Sequence, residues 1–295
     1  MFKRKKFKLQ LPSRMLVLGE RTLVMGVLNV TPDSFSDGGR YLDAHAAVAR
    51  ALEMERAGAD LIDVGGESTR PGSEAISATE ELRRVLPVLE RLRGRLKIPI
   101  SIDTSKAEVA EAAVYQGAEI INDVTALRAD PRLAEIAAKR RLPLILMHMR
   151  GDPRTMQKKP FARDVMRDVW TGLRRAASIA RHAGVSKAQV VLDPGVGFGK
   201  SAEQNYELLQ RLPELARLGH ALVVGTSRKS FLAKAPGGAP DADRIWGTAA
   251  TVAASILGGA HIVRVHDVAE MVEVARVTDA VRRPQSVSAH AAQSK

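Results

Sequence analysis

The sequence predicts an α/β protein, a single (β/α)8 barrel of the TIM type, on three observations. Eight short β-branched or apolar runs alternate with longer amphipathic stretches, the pattern of parallel strands separated by helices. Successive runs end roughly 20 to 45 residues apart, room for a strand, a loop and a helix in each unit. No Gly-rich phosphate fingerprint follows the first run, which disfavours an open, doubly wound sheet.

The strand-like runs are LVMGVLN near 23, DLIDVG near 60, IPISID near 98, AEIIND near 118, LPLILMH near 142, QVVLDP near 189, ALVVGTS near 221 and HIVRVH near 261. Helix starts lie between them. Ser77 with Glu80, Ser105 with Glu108, and Ser201 with Gln204 fit capping boxes, and Asp130-Pro131 fits an N-cap followed by Pro. Gly58, Gly117, Gly184 and Gly219 fall where the preceding helices should end. The barrel is expected over residues 13–283 as one domain. A basic N-terminal tail, 1–12, and a flexible C-terminal tail, 284–295, are expected outside it, so that removing residues 1–12 should change little.

Composition narrows the function. The chain has 295 residues, 45% apolar and 26% charged, which suits a folded globular protein. It has no Cys, which removes disulfides, thiolate metal sites and a cysteine nucleophile. No run of about 18 apolar residues is present to span a membrane, and the basic N-terminus lacks the apolar stretch of a secretory signal. A cytoplasmic protein without a membrane partner is expected. The net charge of +12 raises the question of polyanions. Aromatic residues are only 4%, too few for base-stacking platforms, and the charge reads as solvated helix faces and a basic tail rather than a nucleic-acid surface.

In a barrel of this type, chemistry collects at the C-terminal ends of the strands. Here the eight runs stop in turn at Asn29, the Gly66–Gly72 segment, Asp103, Asn122-Asp123, His148, Asp193, Ser227–Ser230, and Arg264 with His266. One such residue would be an ordinary cap or turn former; eight in succession are harder to explain that way. Asp103, Asn122 and Asp193 can form a donor–acceptor array for a polar heterocycle, and Arg70, Arg264 and His266 supply cations for a phosphate-like group. Lys229 and Ser230 sit where the seventh strand is expected to turn into a helix, whose N-terminus favours an anion. GVGFGKS at 195–201 looks like a P-loop, but Pro194 stands where that pattern requires Gly. No close His pair supports a structural zinc site. A Mg²⁺ held through one amide or carboxylate plus substrate phosphates would leave little trace.

Taken together, VLNVTPDSFSDGG (27–39), DVGGESTRPG (63–72), ISIDTSK (100–106), INDV (121–124), LMHMRGDPRTMQ (146–157), LDPGVGFGK (192–200), SRKSF (227–231) and RVHDV (264–268) resemble the dihydropteroate synthases of folate biosynthesis. The resemblance runs from about residue 22 to 282 and touches all eight strand ends. It implies a transferase that joins 6-hydroxymethyl-7,8-dihydropterin pyrophosphate to p-aminobenzoate, needs Mg²⁺, works as a homodimer and is the sulfonamide target. Carried over by motif, it assigns Asp103, Asn122, Asp193 and Lys229 to the pterin ring. Asn29, Arg70, Arg264 and His266 go to the pyrophosphate, with Asn29 near the metal. Thr69 and Met147 are assigned to substrate, and Phe198, Lys229 and Ser230 to the p-aminobenzoate pocket. Asp33, Phe35 and Ser36 in one loop and Ser68, Thr69, Arg70 and Pro71 in the next would close over the site. The catalytic assignments are Asp103, Lys229 and Arg264. Departures are small: Thr125-Ala126 stands where Ser-Gly is common in the family, and Thr226 where Ala or Met is frequent. A pterin-binding methyltransferase barrel shares the Asp and Asn residues but has no need of SRKS or RVH, and a catalytically silent paralogue would keep the fold alone.

Overall fold

The computed structural model describes residues 4–31, 40–69, 72–152, 155–156, 163–235 and 244–283. Two short strands come first, β1 (Phe7–Gln10) and β2 (Met15–Leu18), paired antiparallel with Leu9 opposite Leu16. The eight barrel strands follow: β3 (Leu23–Asn29), β4 (Leu61–Gly65), β5 (Ile100–Asp103), β6 (Ile120–Asp123), β7 (Leu144–Met147), β8 (Val190–Asp193), β9 (Ala221–Val224) and β10 (Ile262–Val265). All are parallel to their neighbours, and β10 pairs with β3 to close the ring, Ile262 beside Leu23 and Val265 beside Gly26. The expected fold class is therefore the observed one.

Helices α1 (Arg40–Arg56), α2 (Ala78–Leu92), α3 (Ala107–Tyr115), α4 (Arg132–Arg140), α5 (Val165–His182), α6 (Ala202–Gln210), α7 (Leu212–Leu215), α8 (Ile245–Leu257) and α9 (Val268–Arg282) return the chain outside the barrel. Ser77 caps α2 by accepting from the Glu80 amide, and Ser201 with Gln204 makes the full capping box of α6. Ser105 does not cap α3: the helix starts at Ala107 after Lys106, without a side-chain cap. Asp130 takes that part from the next loop, accepting from the Ala107 amide at 3.0 Å and the Arg132 amide at 3.1 Å. One carboxylate thus serves two helix starts, where sequence spacing pointed to a local hydroxyl. Gly58, Gly117, Gly184 and Gly219 follow their helices with positive φ, as expected.

Strand parity sorts the core, because alternate residues face opposite sides of a sheet. Val24, Ile62, Ile102, Ile121, Leu146, Leu192 and Val263 pack under the helices. The other parity fills the barrel. Its lower layer is apolar, with Leu61, Ile120, Ile145, Val191 and Ile262 in one buried cluster. Two residues further along those strands, and so one layer higher on the same face, stand Asp63, Asn122, Met147, Asp193 and Arg264. The C-terminal mouth is polar because the pattern changes along the inward face.

Residues 4–11 correct the expectation of a detached tail. Leu9, Leu11 and Leu18 are buried in the same cluster as the lower barrel layer, so the hairpin plugs the N-terminal end of the barrel. Arg4 is buried, donates to Thr22 Oγ1 at 2.9 Å and to the Ala260 carbonyl, and pairs with Asp279 at 3.1 Å. The His261 ring accepts from the Leu222 amide at 3.1 Å and meets the Lys5 carbonyl at 2.8 Å. Residues 284–295 and most of the APGGAP segment lie outside the described residues.

Candidate functional site

The inward parity places Asp63, Asp103, Asn122, Asp193 and Arg264 around the upper lumen. Arg264 bridges two carboxylates, with Nε donating to Asp63 Oδ2 at 2.6 Å and Nη2 donating to Asp103 Oδ2 at 2.7 Å. Asn122 Nδ2 donates to the same Asp63 oxygen at 2.9 Å. Asp63 therefore organises the array, yet sequence reasoning missed it. The motif DVGGESTRPG contains it, but Asp63 lies two residues before the end of β4 rather than where the strand stops. The signal that finds it is parity with Leu61.

Two polar atoms in this layer, Asp63 Oδ1 and Ser101 Oγ, are buried without a partner among the described residues. They stand on residues that are cross-strand neighbours. Deep polar groups without partners are costly in a fold, and they mark this layer as built for something other than stability. Burial pushes the Asp103 carboxyl up to about 8, with Arg264 opposing and Asp63 adding repulsion. Burial also raises Asp193, against the pull of Lys229. It works against the Arg264 cation, but Asp63 and Asp103 outweigh it and hold Arg264 above its ordinary value.

Asp193 accepts from the Gly195 amide at 2.7 Å. This ties the end of β8 to the loop that carries Phe198. The Lys229 ammonium lies 4.4 Å from the centroid of the Phe198 ring, a cation–π geometry, and donates to the Val196 carbonyl. Burial lowers Lys229 to about 8 while Asp193 works the other way. Met147 is buried beside Val124, Met149 and Met156, and Phe198 packs against this group. An aromatic ring, an apolar wall and a cation thus adjoin the carboxylate–amide array, a combination that fits a flat polar ring and an aromatic acid.

Lys229 and Ser230 do not start an α-helix. A 3-10 stretch, Ser230–Lys234, follows without a side-chain cap, and Ser230 is exposed. The anion site expected from a helix N-terminus is therefore not formed there, and the cation itself supplies the charge. His266, just beyond β10, shares a hydrogen bond of 3.0 Å between Nδ1 and Ser227 Oγ. The structure brings Arg264 and His266 to neighbouring positions but engages Arg264 with carboxylates. Asp123, also at a strand end, faces the other way: its carboxylate accepts from the amides of Thr125 and Leu127 and the Thr125 hydroxyl. There the turn-former reading holds. His148 likewise lies against α5, where a side chain at Gly172 would meet its ring.

Asn29 ends β3 beside Gly65, and its inward parity presents a partly exposed carboxamide at the mouth. No group of three or more His, Asp or Glu residues arranged to hold a metal occurs among the described residues. A single hard amide oxygen does fit a Mg²⁺ that takes its other ligands from phosphate and water. Thr69 is partly buried in the second loop. Arg70 and Pro71, and Asp33, Phe35 and Ser36 of the first loop, lie outside the described residues.

Comparison with known proteins gives this geometry its context. A family model described as pterin binding enzyme matches residues 25–266. The dihydropteroate synthase of Synechocystis sp. is 49% identical over 265 residues, covering 90% of this chain and 92% of that protein. The Xanthomonas albilineans dihydropteroate synthase solved with 4-aminobenzoic acid superposes with a TM-score of 0.88 at 43% identity, over 95% of this chain and 100% of that one. The Yersinia pestis dihydropteroate synthase in complex with a sulfonamide drug gives 0.86 at 44% identity, over 93% of this chain and 99% of that one. A closed barrel whose polar layer faces the lumen, a family match across nearly its whole length and relatives this similar lead to one conclusion: the chain belongs to the dihydropteroate synthase family of pterin-binding enzymes.

Proposed function

We propose that the chain condenses 6-hydroxymethyl-7,8-dihydropterin pyrophosphate with p-aminobenzoate to give 7,8-dihydropteroate and pyrophosphate. It is a transferase of folate biosynthesis and a sulfonamide target. The observation that carries the reading is the lumen-facing array of Asp63, Asp103, Asn122 and Asp193 around Arg264, with Lys229 and Phe198 beside it. In this reading the array holds the pterin ring by hydrogen bonds, and Lys229 serves both the pterin and the p-aminobenzoate carboxylate, with Phe198 and Ser230 completing the second pocket. Thr69 and Met147 line the substrate.

The bond between the pterin methylene and the pyrophosphate oxygen breaks, and its electron pair leaves with pyrophosphate. The methylene carries the resulting positive charge. Asp103, in its ionised form, faces that charge and stabilises it from a buried position beside Arg264. The aniline nitrogen then forms the new C–N bond and loses a proton. As a weak nucleophile it needs positioning more than activation. Arg264, His266 and Arg70 would take the pyrophosphate, which requires Arg264 to exchange part of its carboxylate pairing for the substrate. Asn29 would hold Mg²⁺ through its amide oxygen, and the ion would neutralise charge on the leaving group.

We also propose a homodimer working in the cytoplasm. Trp246 on α8 and Val277 and Val281 on α9 are exposed apolar side chains, and α8 packs along α9, so they offer surface for a second copy. No helix among the described residues is long and apolar enough to cross a membrane. A charged pyrophosphate substrate does not cross a bilayer unaided, which suits an enzyme sharing the compartment of its supplier. The test of the reaction is an assay of purified protein with both substrates, following pyrophosphate and dihydropteroate together. Release of pyrophosphate without dihydropteroate, or no turnover at all, would overturn it. Sedimentation velocity reads the oligomeric state.

A further inference from the structure

Lys200 is a lysine almost wholly buried that makes no ion pair among the described residues. Its ammonium donates to three backbone carbonyls, Gly195 at 2.8 Å, Phe198 at 3.0 Å and His148 at 3.3 Å. Two of these lie on the segment 195–199 and the third on the segment that follows β7, so one side chain fastens two loops together. We infer that Lys200 is a positioning residue for the p-aminobenzoate pocket: it fixes the 195–199 segment, and through it the Val196 carbonyl and the Phe198 ring that hold Lys229. This inference rests on the reaction proposed above.

The backbone is built around this anchor. Gly195 and Gly199 have φ of +64° and +66°, and a side chain at either would collide with the backbone of the facing loop. A Cβ at Gly195 would sit 1.9 Å from the His148 carbonyl, and one at Gly199 would sit 2.2 Å from that of Arg150. The 195–199 segment therefore lies flush on residues 148–150, with Lys200 underneath. Asn205 secures the other edge, accepting from the Gly197 amide at 2.6 Å and donating to the Lys200 and Ser201 carbonyls. Both contacts that place the Lys229 head group, the Val196 carbonyl and the Phe198 ring, belong to this one segment.

An amine suits the task. Carbonyls that converge in a desolvated space need several donors at one point, and an ammonium supplies three. Burial lowers Lys200 to about 7, with Lys229 adding repulsion and Asp193 opposing. Even the neutral amine keeps two N–H donors, so the anchor does not depend on charge alone. The P-loop likeness of GVGFGKS is thereby given a different meaning. Its lysine turns back onto its own loop rather than toward a phosphate.

The test is Lys200→Met, which keeps an unbranched chain out to the ε position and removes every donor. If Lys200 positions the pocket, the Michaelis constant for p-aminobenzoate rises about tenfold or more, while kcat changes by less than about threefold and the affinity for free hydroxymethyl pterin, which Lys229 also serves, falls by clearly less than that for p-aminobenzoate. Amide exchange at residues 195–199 should quicken in the same variant. Because the chain has no cysteine of its own, Lys200→Cys can be alkylated with 2-bromoethylamine while denatured and then refolded, restoring an amine at the same reach. That protein should recover the wild-type constant, with refolded wild type as reference. Lys200→Gln, which retains two donors on a shorter arm, should fall between and serves if the Met variant does not fold. A normal p-aminobenzoate constant in Lys200→Met or Lys200→Gln, or an equal loss in both substrates and kcat with unchanged exchange, overturns the inference. Absence of dihydropteroate from wild type would instead overturn the proposed reaction, and amide exchange with amine rescue would still judge the anchor.

Discussion

At Asp103, burial and charge pull in opposite directions. Its carboxylate is paired with Arg264 at 2.7 Å, yet it shares that cation with Asp63, and burial raises it to about 8. Ionised Asp103 is the form that can face a developing cation. Asp103→Asn should leave the barrel folded and lower turnover by about 10² to 10³, the usual effect of losing one preorganised electrostatic partner; near-normal turnover would remove Asp103 from that role. The pH dependence has a definite sign. The group is inactive when protonated, so kcat/KM should rise with pH through its ionisation in the range up to about 8. Asp63→Asn removes a neighbouring negative charge and leaves the Arg264 guanidinium more fully to Asp103. Both effects favour the ionised form, and the rising limb should move to lower pH. A limb that stays in place or moves up would show that Asp63 does not govern Asp103. Asn29, Asp103, Asn122, Asp193 and Arg264 were legible in the sequence because each ends or nearly ends an apolar run. Asp63 was not, because it lies inside its run, where burial alone would have forbidden an unpaired carboxylate. Its pairing partners come from β6 and β10, 59 and 201 residues away, and no local pattern carries that information.

At the scale of elements, the eight barrel strands were readable from their runs, and two of the three proposed capping serines act as caps. The hairpin β1–β2 was not. Phe7, Leu9 and Leu11 alternate with Lys6, Lys8 and Gln10, which is strand periodicity, but the density of positive charge disguised it as a solvated tail. Snorkelling Lys side chains on the outer face explain how both patterns coexist. Leu9→Ala should therefore destabilise the protein by about 2 to 5 kcal/mol, the range for emptying a buried leucine site. Deleting residues 1–12 should cost more, since Leu11 and the buried Arg4 go with it. A melting temperature unchanged by either alteration would return the segment to the status of a tail. His261 adds a pH signature to the same end of the barrel. Burial lowers it to about 4, so the fold holds it neutral, accepting from the Leu222 amide. The linked stability is fully present above the unfolded value near 6.5 and is lost as pH falls from there toward 4. His148 and His220 are lowered by burial too and contribute to the same slope. The expected result is that His261→Gln melts with a shallower loss between pH 7 and 5 than wild type. A slope identical to wild type would mean that His261 does not titrate on unfolding.

The whole molecule separates stability from chemistry along the barrel axis. The lower lumen is apolar and plugged by the hairpin, whereas the upper lumen packs three aspartates, an asparagine and an arginine into a space where desolvating charge is expensive. Such division is general to barrels of this kind, with the strands' C-terminal ends free to carry strained chemistry because the other end holds the fold. It follows that a ligand which relieves the polar layer should stabilise the protein, and that the increment should not depend on the lower end. Pterin pyrophosphate at 100 times its dissociation constant should add about 2.7 kcal/mol to the unfolding free energy. Sites well apart with no shared partners add within about 0.5 kcal/mol, so Leu9→Ala should start from a lower melting temperature and gain nearly the same increment at equal saturation. Arg264→Ala should do the reverse. It should gain little from the pyrophosphate at the concentration that saturates wild type, because a charge-assisted contact of this type contributes roughly 1.5 to 3 kcal/mol, a tenfold to hundredfold weaker affinity, while its response to free hydroxymethyl pterin should fall less. Thermal melts of the three proteins with each pterin test both statements at once. A ligand increment in Leu9→Ala that differs from wild type by well over 0.5 kcal/mol would show that the plug and the site are energetically coupled, and equal responses of Arg264→Ala to the two pterins would remove the pyrophosphate from Arg264.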